Sequence, residues 1–197
     1  MRVGIFDLET SGLYANSSII LCACIKPFSY DQKVKTETTT IRADQFRSWK
    51  TGKSDNLHVV KAIMDELCGT EEKPGYDILV AHNGQYFDKA FLNSSCLKYG
   101  LTPQLRTMKF IDPVMIARKH MRIARNSLAS LIDYFDIQDT KTPIKFDHWI
   151  KASHDSDKES LSYIVKHCQR DVIALERVYF LIRKLVKSID DSGSAFR

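Results

Sequence analysis

Two carboxylates stand at alternate positions at the end of an apolar segment near the amino terminus, in Phe6-Asp7-Leu8-Glu9-Thr10. Alternate residues of a β-strand project to the same face, so we expect Asp7 and Glu9 to lie side by side. Two partly buried anions repel each other and are costly unless a cation lies between them. Oxygen ligands of this kind favour magnesium or manganese. The motif therefore predicts a divalent-metal site on a central strand.

The 197 residues suit one domain of ordinary globular composition, with 44% apolar and 27% charged residues. A net charge of +5 is compatible with a nucleic-acid ligand without requiring one. No apolar segment reaches the length of a membrane span, and no signal-peptide pattern precedes the first strand. The five cysteines lie mostly in apolar segments, which favours reduced thiols. These features predict a cytoplasmic protein without a membrane partner.

The order of the elements predicts an α/β fold, with a mixed sheet flanked by helices. Three strand-like segments joined by short turns come first, which indicates an antiparallel meander. Strand–helix alternation follows, which favours parallel strands. Residues 1–189 are expected to form one domain, residues 137–160 to be loop-rich and residues 190–197 to be a frayed tail. The expected strands are 2–7, 19–28, 34–41, 77–81 and 109–111, and the expected helices are 56–67, 84–99, 113–121, 127–134 and 164–189.

Two further acids follow at positions suited to a site. Asp88 comes after the apolar strand 77–81, near the start of a helix, where α/β sheets bind ligands; a helix-start charge is the structural alternative. Asp171 lies on the last helix with His167 on the same helical face, four residues earlier. A surface His–Asp pair is the structural alternative there. Neither acid identifies a site by itself.

The order of these motifs resembles the DEDD superfamily of 3′→5′ exonucleases, which is named for four metal-binding carboxylates. Residues 6–10 resemble its first motif, residues 82–88 its second and residues 167–171 its third, and the resemblance extends to about residue 180. It implies a ribonuclease-H-like fold and a phosphodiester hydrolase that works from the 3′ end. His167 has the spacing of the branch that carries tyrosine, as in family B polymerase proofreading domains, but the side chain of the other branch.

The resemblance implies catalysis with two Mg²⁺ or Mn²⁺ ions, held by four carboxylates: Asp7, Glu9, Asp88 and Asp171. Asp7 is expected to contact both ions. Glu9 and Asp171 are expected to hold the ion next to the attacking water, and Asp88 to support the second ion. His167 is expected to orient or deprotonate that water, because neutral imidazole accepts a proton near neutral pH.

The segment after the first motif is expected, from the same resemblance, to hold the 3′-terminal nucleotide. Gly12 allows close backbone approach, and Leu13 either packs on a base or belongs to the core. Asn83 can hydrogen-bond sugar or phosphate, and Tyr86 can stack on a base. The candidate nucleic-acid-binding residues here are Thr10, Ser11, Gly12, Leu13, Asn83 and Tyr86.

Basic residues provide further candidate contacts. A basic run that includes Arg118, Lys119 and Arg122 either lines the path of the incoming strand or is a solvated face. Lys141 is part of a Lys-Thr-Pro-Ile segment similar to an element of protein-primed family B polymerases; a solvated loop lysine is the alternative.

The resemblance favours the 3′ end of single-stranded DNA as substrate, because the second motif and the third-motif spacing are most similar to DNA-proofreading relatives. The alternatives are a 3′→5′ exoribonuclease, a nuclease that cuts internally, and a catalytically weakened nucleic-acid-binding module of the same fold. The first motif begins close to Met1 and the last helix ends close to the final residue, so we expect a domain separate from any polymerase. Replication or repair proteins are the expected protein partners.

Overall fold

Five strands form one mixed sheet in the residues that a computed structural model describes, which are 1–31, 33–50, 55–106, 108–138 and 144–186. These strands are β1 (Val3–Thr10), β2 (Ile20–Pro27), β3 (Thr39–Arg42), β4 (Ile78–Val80) and β5 (Lys109–Ile111). They lie in the order β3-β2-β1-β4-β5, with β1 in the centre. β2 pairs antiparallel with both β1 and β3, whereas β4 pairs parallel with both β1 and β5. The predicted mixed sheet is therefore confirmed.

Seven α-helices in this part of the chain cover the two faces of the sheet. They are α1 (Arg47–Lys50), α2 (Leu57–Cys68), α3 (Asp88–Lys98), α4 (Pro113–His120), α5 (Leu128–Tyr134), α6 (Phe146–His154) and α7 (Lys158–Ile182). One core cluster joins the sheet to α2 and α3 and includes Ile63 and Leu92. The other joins it to α4, α5, α6 and α7 and includes Ile116 and Val172. Both faces of β1 are consequently buried against helices.

Capping and turn residues set the limits of three helices that frame the site. Asp157 accepts a hydrogen bond from the Ser160 backbone N–H, so α7 begins at Lys158 rather than at residue 164 as expected. Asp112 caps α4 in the same way, within its first turn. Helix α3 ends before Gly100, which has the left-handed φ of 67° that commonly terminates helices.

Two further expectations need correction. The third strand spans four residues instead of the predicted 34–41, since Thr36 bonds through its side chain to the Pro27 carbonyl. The loop expected over residues 137–160 was wrong, because α6 lies within it. The predicted limit at residue 189, the tail 190–197 and Lys141 all lie outside the described residues. No helix in the described ranges is long and apolar enough to span a bilayer.

The two motif carboxylates on β1 face α7. Asp7 pairs with Cys24 and Glu9 with Cys22 across the β1–β2 ladder, and both thiols are buried in the cluster that contains α7. The thiol of Cys168 on α7 donates a hydrogen bond to the Asp7 backbone carbonyl at 3.5 Å. The alternation of the strand therefore places both carboxylates on the α7 side of the sheet, as predicted.

A nearly buried ion pair fixes the position of α7 on the sheet. Lys26 of β2 donates to Glu176 of α7 at 2.7 Å, and the two side chains are only 11% and 14% exposed. Thr36 accepts a second hydrogen bond from the same ammonium at 2.6 Å. A paired and hydrogen-bonded charge of this kind tolerates burial, so it can set the register of α7 against β2.

Candidate metal centre

Glu9 on β1 and two residues of α7 bring their polar atoms together. The Nε2 atom of His167 lies 3.5 Å from Oδ2 of Asp171 and 3.9 Å from Oε1 of Glu9. One ligand atom from each of these three residues lies within 4.8 Å of the other two. The four-residue spacing on α7 puts His167 and Asp171 on one helical face, as the sequence predicts. Three side chains from two elements are thus placed to share one metal ion.

Asp7 and Asp88 extend this cluster to four carboxylates. Asp88 is the first residue of α3 and only 5% exposed, and burial raises its pKa well above the usual value, although a hydrogen bond from the Leu8 backbone N–H opposes this change. Asp171 raises the pKa of Asp7, and Asp7 in turn raises the pKa of Asp88, so Asp7 interacts electrostatically with both. The four acids selected from the sequence therefore influence one another electrostatically, and two of them, Glu9 and Asp171, lie with His167 in one close cluster.

Burial and mutual repulsion disfavour the ionised forms of these acids. Burial and, secondarily, Asp171 raise the pKa of Asp7 from 3.8 to about 7. Burial and then Asp7 raise the pKa of Glu9 from 4.5 to about 9, against an opposing hydrogen bond from Trp149. Burial also raises the pKa of Asp171, although His167 opposes the change. A cluster of this kind is strained when all its carboxylates are charged and no cation is present.

The donor set fits divalent cations. The Oδ2 atom of Asp7 is buried and has no hydrogen-bond partner among the described residues, although buried carboxylate oxygens are normally satisfied. Four carboxylates with one imidazole match the oxygen-rich coordination that Mg²⁺ and Mn²⁺ prefer. A bound cation would satisfy the unpaired oxygen and remove the repulsion that raises these pKa values.

Trp149 belongs to the site and was not selected from the sequence. Its indole Nε1–H donates a hydrogen bond to Oε2 of Glu9 at 3.1 Å, and its ring meets the ring of His167 edge to face at 5.7 Å. It lies on α6, within the segment expected to be loop. The spacing of Phe146, Trp149 and Ile150 is that of one helical face, and this signal could have identified the helix.

Asp112 is a second residue that sequence reasoning missed. It is 4% exposed and ends β5, and its Oδ1 atom accepts hydrogen bonds from the backbone N–H groups of Val114 and Asn83, both at 2.9 Å. Asn83 has a left-handed φ of 60°, so this bond holds an unusual turn of the second motif. After burial and Asp7, Asp112 also contributes to the raised pKa of Asp88, so it interacts electrostatically with one acid of the cluster.

The segment after β1 forms a loop whose polar residues bond within the chain. The hydroxyl of Thr10 donates to the Gly12 carbonyl at 2.7 Å, and that of Ser11 accepts from the Ile19 backbone N–H at 3.0 Å. A Cβ on Gly12 would lie 2.7 Å from the Ser18 hydroxyl, so a larger residue here requires the Ser18 side chain to move. Leu13 is 73% exposed, which excludes the alternative that it belongs to the core.

The other predicted contact residues differ in their surroundings. Asn83 is exposed in the turn after β4, and Tyr86 is 55% exposed in the same connection to α3. Arg118 lies in the last turn of α4, is exposed, and affects the pKa values of Asp112 and His82. Arg122 is exposed in the segment after α4. Because Arg118 influences Asp112, it lies on the same side of the carboxylate cluster as the end of β5.

The mixed sheet, with clustered acids on its central strand, defines an RNase H-like α/β domain. A family model for the RNase H superfamily matches residues 5–183, so the chain belongs to this superfamily. The fold implied by the resemblance to DEDD exonucleases is therefore confirmed.

Two comparisons with individual proteins agree with this assignment. The chain is 28% identical over 150 residues to a protein described as DNA polymerase III PolC-type from Ureaplasma parvum serovar 3. The matched region covers 68% of this chain and 10% of that polymerase. The structure of a family B DNA polymerase from the hyperthermophilic archaeon Pyrobaculum calidifontis superposes with a TM-score of 0.59 at 13% identity, over 100% of this chain and 27% of that one. At this low identity, the second match shows only that the two folds are similar. The chain thus spans about a tenth and about a quarter of these two proteins.

The raised pKa values predict that the metal-free protein loses stability as the pH rises. Folded Asp7 and Glu9 hold protons up to about pH 7 and pH 9, whereas the unfolded chain releases them near 3.8 and 4.5. The folded state binds more protons across that interval, so its free energy of unfolding falls from about pH 4 to pH 9. Thermal denaturation in EDTA at several pH values measures this effect, and added Mn²⁺ should restore the lost stability at high pH. A melting temperature in EDTA that rises between pH 5 and pH 9 would contradict the assignment.

Proposed function

We propose that this chain is a divalent-metal-dependent 3′→5′ exonuclease acting on single-stranded DNA. The observation that supports it is the close cluster of Glu9, His167 and Asp171, with which Asp7 and Asp88 interact electrostatically, together with the unpaired buried Oδ2 atom of Asp7. Membership of the RNase H superfamily provides independent support, because its fold suits nucleases that use divalent metals.

The chain's own residues have distinct tasks in this proposal. Asp7 interacts electrostatically with both Asp171 and Asp88, so it would be suited to contact both cations, and Glu9 and Asp171 would hold one of them. When bound, the cations supply Lewis acidity that stabilises charge developing on the phosphate. His167 presents Nε2 towards this cluster, where it can accept a proton from the attacking water. We assign the cations as Mg²⁺ or Mn²⁺.

Exposed side chains near the cluster suit a single strand with unstacked bases. Leu13 and Tyr14 are 73% and 71% exposed in the loop that follows β1. Side chains of this type contact bases without reading their sequence. The polymerase names of the two similar proteins favour DNA over RNA and a role beside replication or repair proteins, while a 3′→5′ exoribonuclease is the alternative substrate assignment.

The proposal is tested by digesting 5′-labelled single-stranded DNA and RNA of the same sequence with Mg²⁺, Mn²⁺ or EDTA. We expect a ladder of products shortened from the 3′ end, formed from DNA faster than from RNA and absent in EDTA. An oligonucleotide blocked at its 3′ terminus should remain intact. Internal cleavage of the blocked DNA would identify an endonuclease. Absence of cleavage with free ends and Mn²⁺ would leave a nucleic-acid-binding module.

The basic residues in the last turn of α4 and just after it are expected to contribute phosphate contacts. Replacement of Arg118, Lys119 and Arg122 together by alanine removes three exposed cations. The slope of log affinity against log salt for single-stranded DNA should therefore decrease by about 2. Fluorescence anisotropy in EDTA measures it without cleavage. Replacement of Lys33, Lys35 and Lys61, which are exposed elsewhere, is the matched control. Equal slopes for the two triple variants would assign the basic run to a solvated face.

A further inference from the structure

Trp149 makes a directional contact with a carboxylate of the metal centre. Its Nε1–H lies 3.1 Å from Oε2 of Glu9, a distance typical of a hydrogen bond. The other oxygen of the same carboxylate, Oε1, is the one that faces His167 at 3.9 Å. The hydrogen bond from Trp149 therefore occupies Oε2 of Glu9 and leaves Oε1 directed at His167.

The same indole also packs against the imidazole. The rings of Trp149 and His167 lie 5.7 Å apart at an angle of 81°, which is an edge-to-face arrangement. Aromatic pairs of this geometry are favourable and restrict rotation of both rings. Trp149 consequently limits the orientation of two functional side chains, one on β1 and one on α7.

Several contacts hold α6 in place, so Trp149 is presented from a rigid element. The indole of Trp49 is 4% exposed and donates to the Ala152 carbonyl at 3.0 Å. His148 bonds to the Ser160 hydroxyl at 3.0 Å and stacks on Tyr163 at 4.1 Å. These contacts tie α6 to residues 47–50 and to the first turns of α7. A side chain on an element held by such contacts loses little conformational entropy when it orients its neighbours.

Charge repulsion within the cluster explains why a hydrogen bond from Trp149 to Glu9 matters. The Glu9 side chain is only 16% exposed, and repulsion from Asp7, Asp171 and Asp88 favours its rotation away from them or its protonation. A hydrogen bond to the ionised form opposes both changes. Tryptophan supplies a donor without adding a charge that would compete with a cation.

We propose that Trp149 is a positioning residue that holds Glu9 and His167 in the arrangement needed to bind a divalent cation. The inference rests on the proposed function only in requiring that the cluster binds such a cation. It assigns to α6, an element outside the three sequence motifs, a part in building the centre.

Binding of Mn²⁺ to the full chain, measured by calorimetry without nucleic acid, tests this role. The Trp149→Phe variant should bind Mn²⁺ about 10-fold more weakly, since partners that orient metal ligands typically contribute at least this much. Benzothienylalanine incorporated at position 149 has the shape of tryptophan but lacks the N–H, so it should give a similar loss even if the phenylalanine variant folds poorly. Ile150→Ala, at the next residue of α6 and 57% exposed, is the matched control and should bind as the wild type does.

Fluorescence offers a second readout that does not depend on activity. Trp49 and Trp149 are the two tryptophans, and only Trp149 contacts the cluster. Paramagnetic Mn²⁺ should quench the emission of Trp49→Phe, which retains Trp149, far more than that of Trp149→Phe. Zinc or calcium at the same concentration controls for changes of ionic strength.

The outcomes separate this inference from the proposed function. If Glu9→Gln abolishes Mn²⁺ binding while Trp149→Phe and the benzothienylalanine variant bind normally, the positioning role is overturned and the proposed function stands. If only the phenylalanine variant binds weakly, packing rather than the hydrogen bond matters, and the proposed role is again overturned. If the wild type binds no Mn²⁺, both are overturned. Weak binding in both variants together with selective quenching supports the role.

Discussion

Asp7→Asn is expected to abolish nuclease activity and, at the same time, to stabilise the metal-free protein. Asp7 interacts electrostatically with both Asp171 and Asp88, and its Oδ2 atom has no hydrogen-bond partner in the described part of the chain. Loss of a ligand shared by two cations should reduce the rate on the order of 10³-fold or more, since metal stabilisation of the transition state amounts to several kcal/mol. Removal of one of several clustered negative charges should lower the repulsion in the absence of cations.

Two melting experiments, one in EDTA and one with Mn²⁺, distinguish this result from simple unfolding of the variant, because they should change in opposite directions. At pH 8 in EDTA the melting temperature of Asp7→Asn should exceed that of the wild type by on the order of 3 °C, corresponding to about 1 kcal/mol for a domain of this size. Mn²⁺ should then stabilise the wild type but not the variant. Asp65→Asn removes an exposed charge on α2 and should change neither quantity. A variant with unchanged turnover in Mn²⁺ would exclude Asp7 as a metal ligand.

The central part of the fold could be predicted from local pattern. The apolar runs of β1, β2 and β4 are buried on both faces, so their composition identified them directly. The third strand was less predictable because its pairing with β2 covers only Thr39–Arg42, and alternation of threonines extends beyond that range. Tertiary contacts such as that of Thr36 with Pro27 decided where pairing begins. Strand pairing depends on neighbours distant in sequence, which periodicity does not report.

The acids of the site could be selected because each lies on an element that local pattern predicts: β1, the start of α3, and α7. Trp149 could not be selected in this way, since its role depends on contact across 140 residues of sequence with Glu9. Asp112 likewise acts through the backbone N–H of Asn83, which lies on another strand connection. Supporting residues of this kind carry no spacing pattern of their own. They become recognisable only when the fold places them beside residues that belong to a sequence motif.

By the resemblance to DEDD exonucleases, His167 would combine the spacing of one branch of that superfamily with the side chain of the other. In the structure the four-residue spacing brings Nε2 of His167 to 3.5 Å from Asp171 on the same helix. This is also close enough to Glu9 for the imidazole to join a metal-binding set. Two roles are thus compatible with the geometry: acceptance of a proton from water, which we propose, and ligation of a cation. They differ in what removal of the imidazole should do.

His167→Phe is expected to reduce turnover on the order of 10²-fold or more at saturating Mn²⁺, with little change in the affinity for Mn²⁺ or single-stranded DNA. Phenylalanine preserves the packing against Trp149 but cannot accept a proton, and positioned acid–base groups typically contribute 10²- to 10⁴-fold. Single-turnover rates between about pH 6 and pH 9, with calorimetry for Mn²⁺, measure both quantities. His58→Phe, an exposed histidine of α2, is the control.

The comparison with His167→Tyr identifies which property of the side chain matters. A phenol can orient water through its hydroxyl but is a poor proton acceptor near neutral pH, because its pKa is about 10. Turnover restored by tyrosine would therefore show that orientation suffices and that the proton goes to bulk water. Turnover that remains low with tyrosine, while Mn²⁺ binding is intact, is the result expected from proton acceptance. A parallel loss of Mn²⁺ affinity and turnover in His167→Phe would instead make the imidazole a metal ligand, and the proposed proton transfer would then need another acceptor.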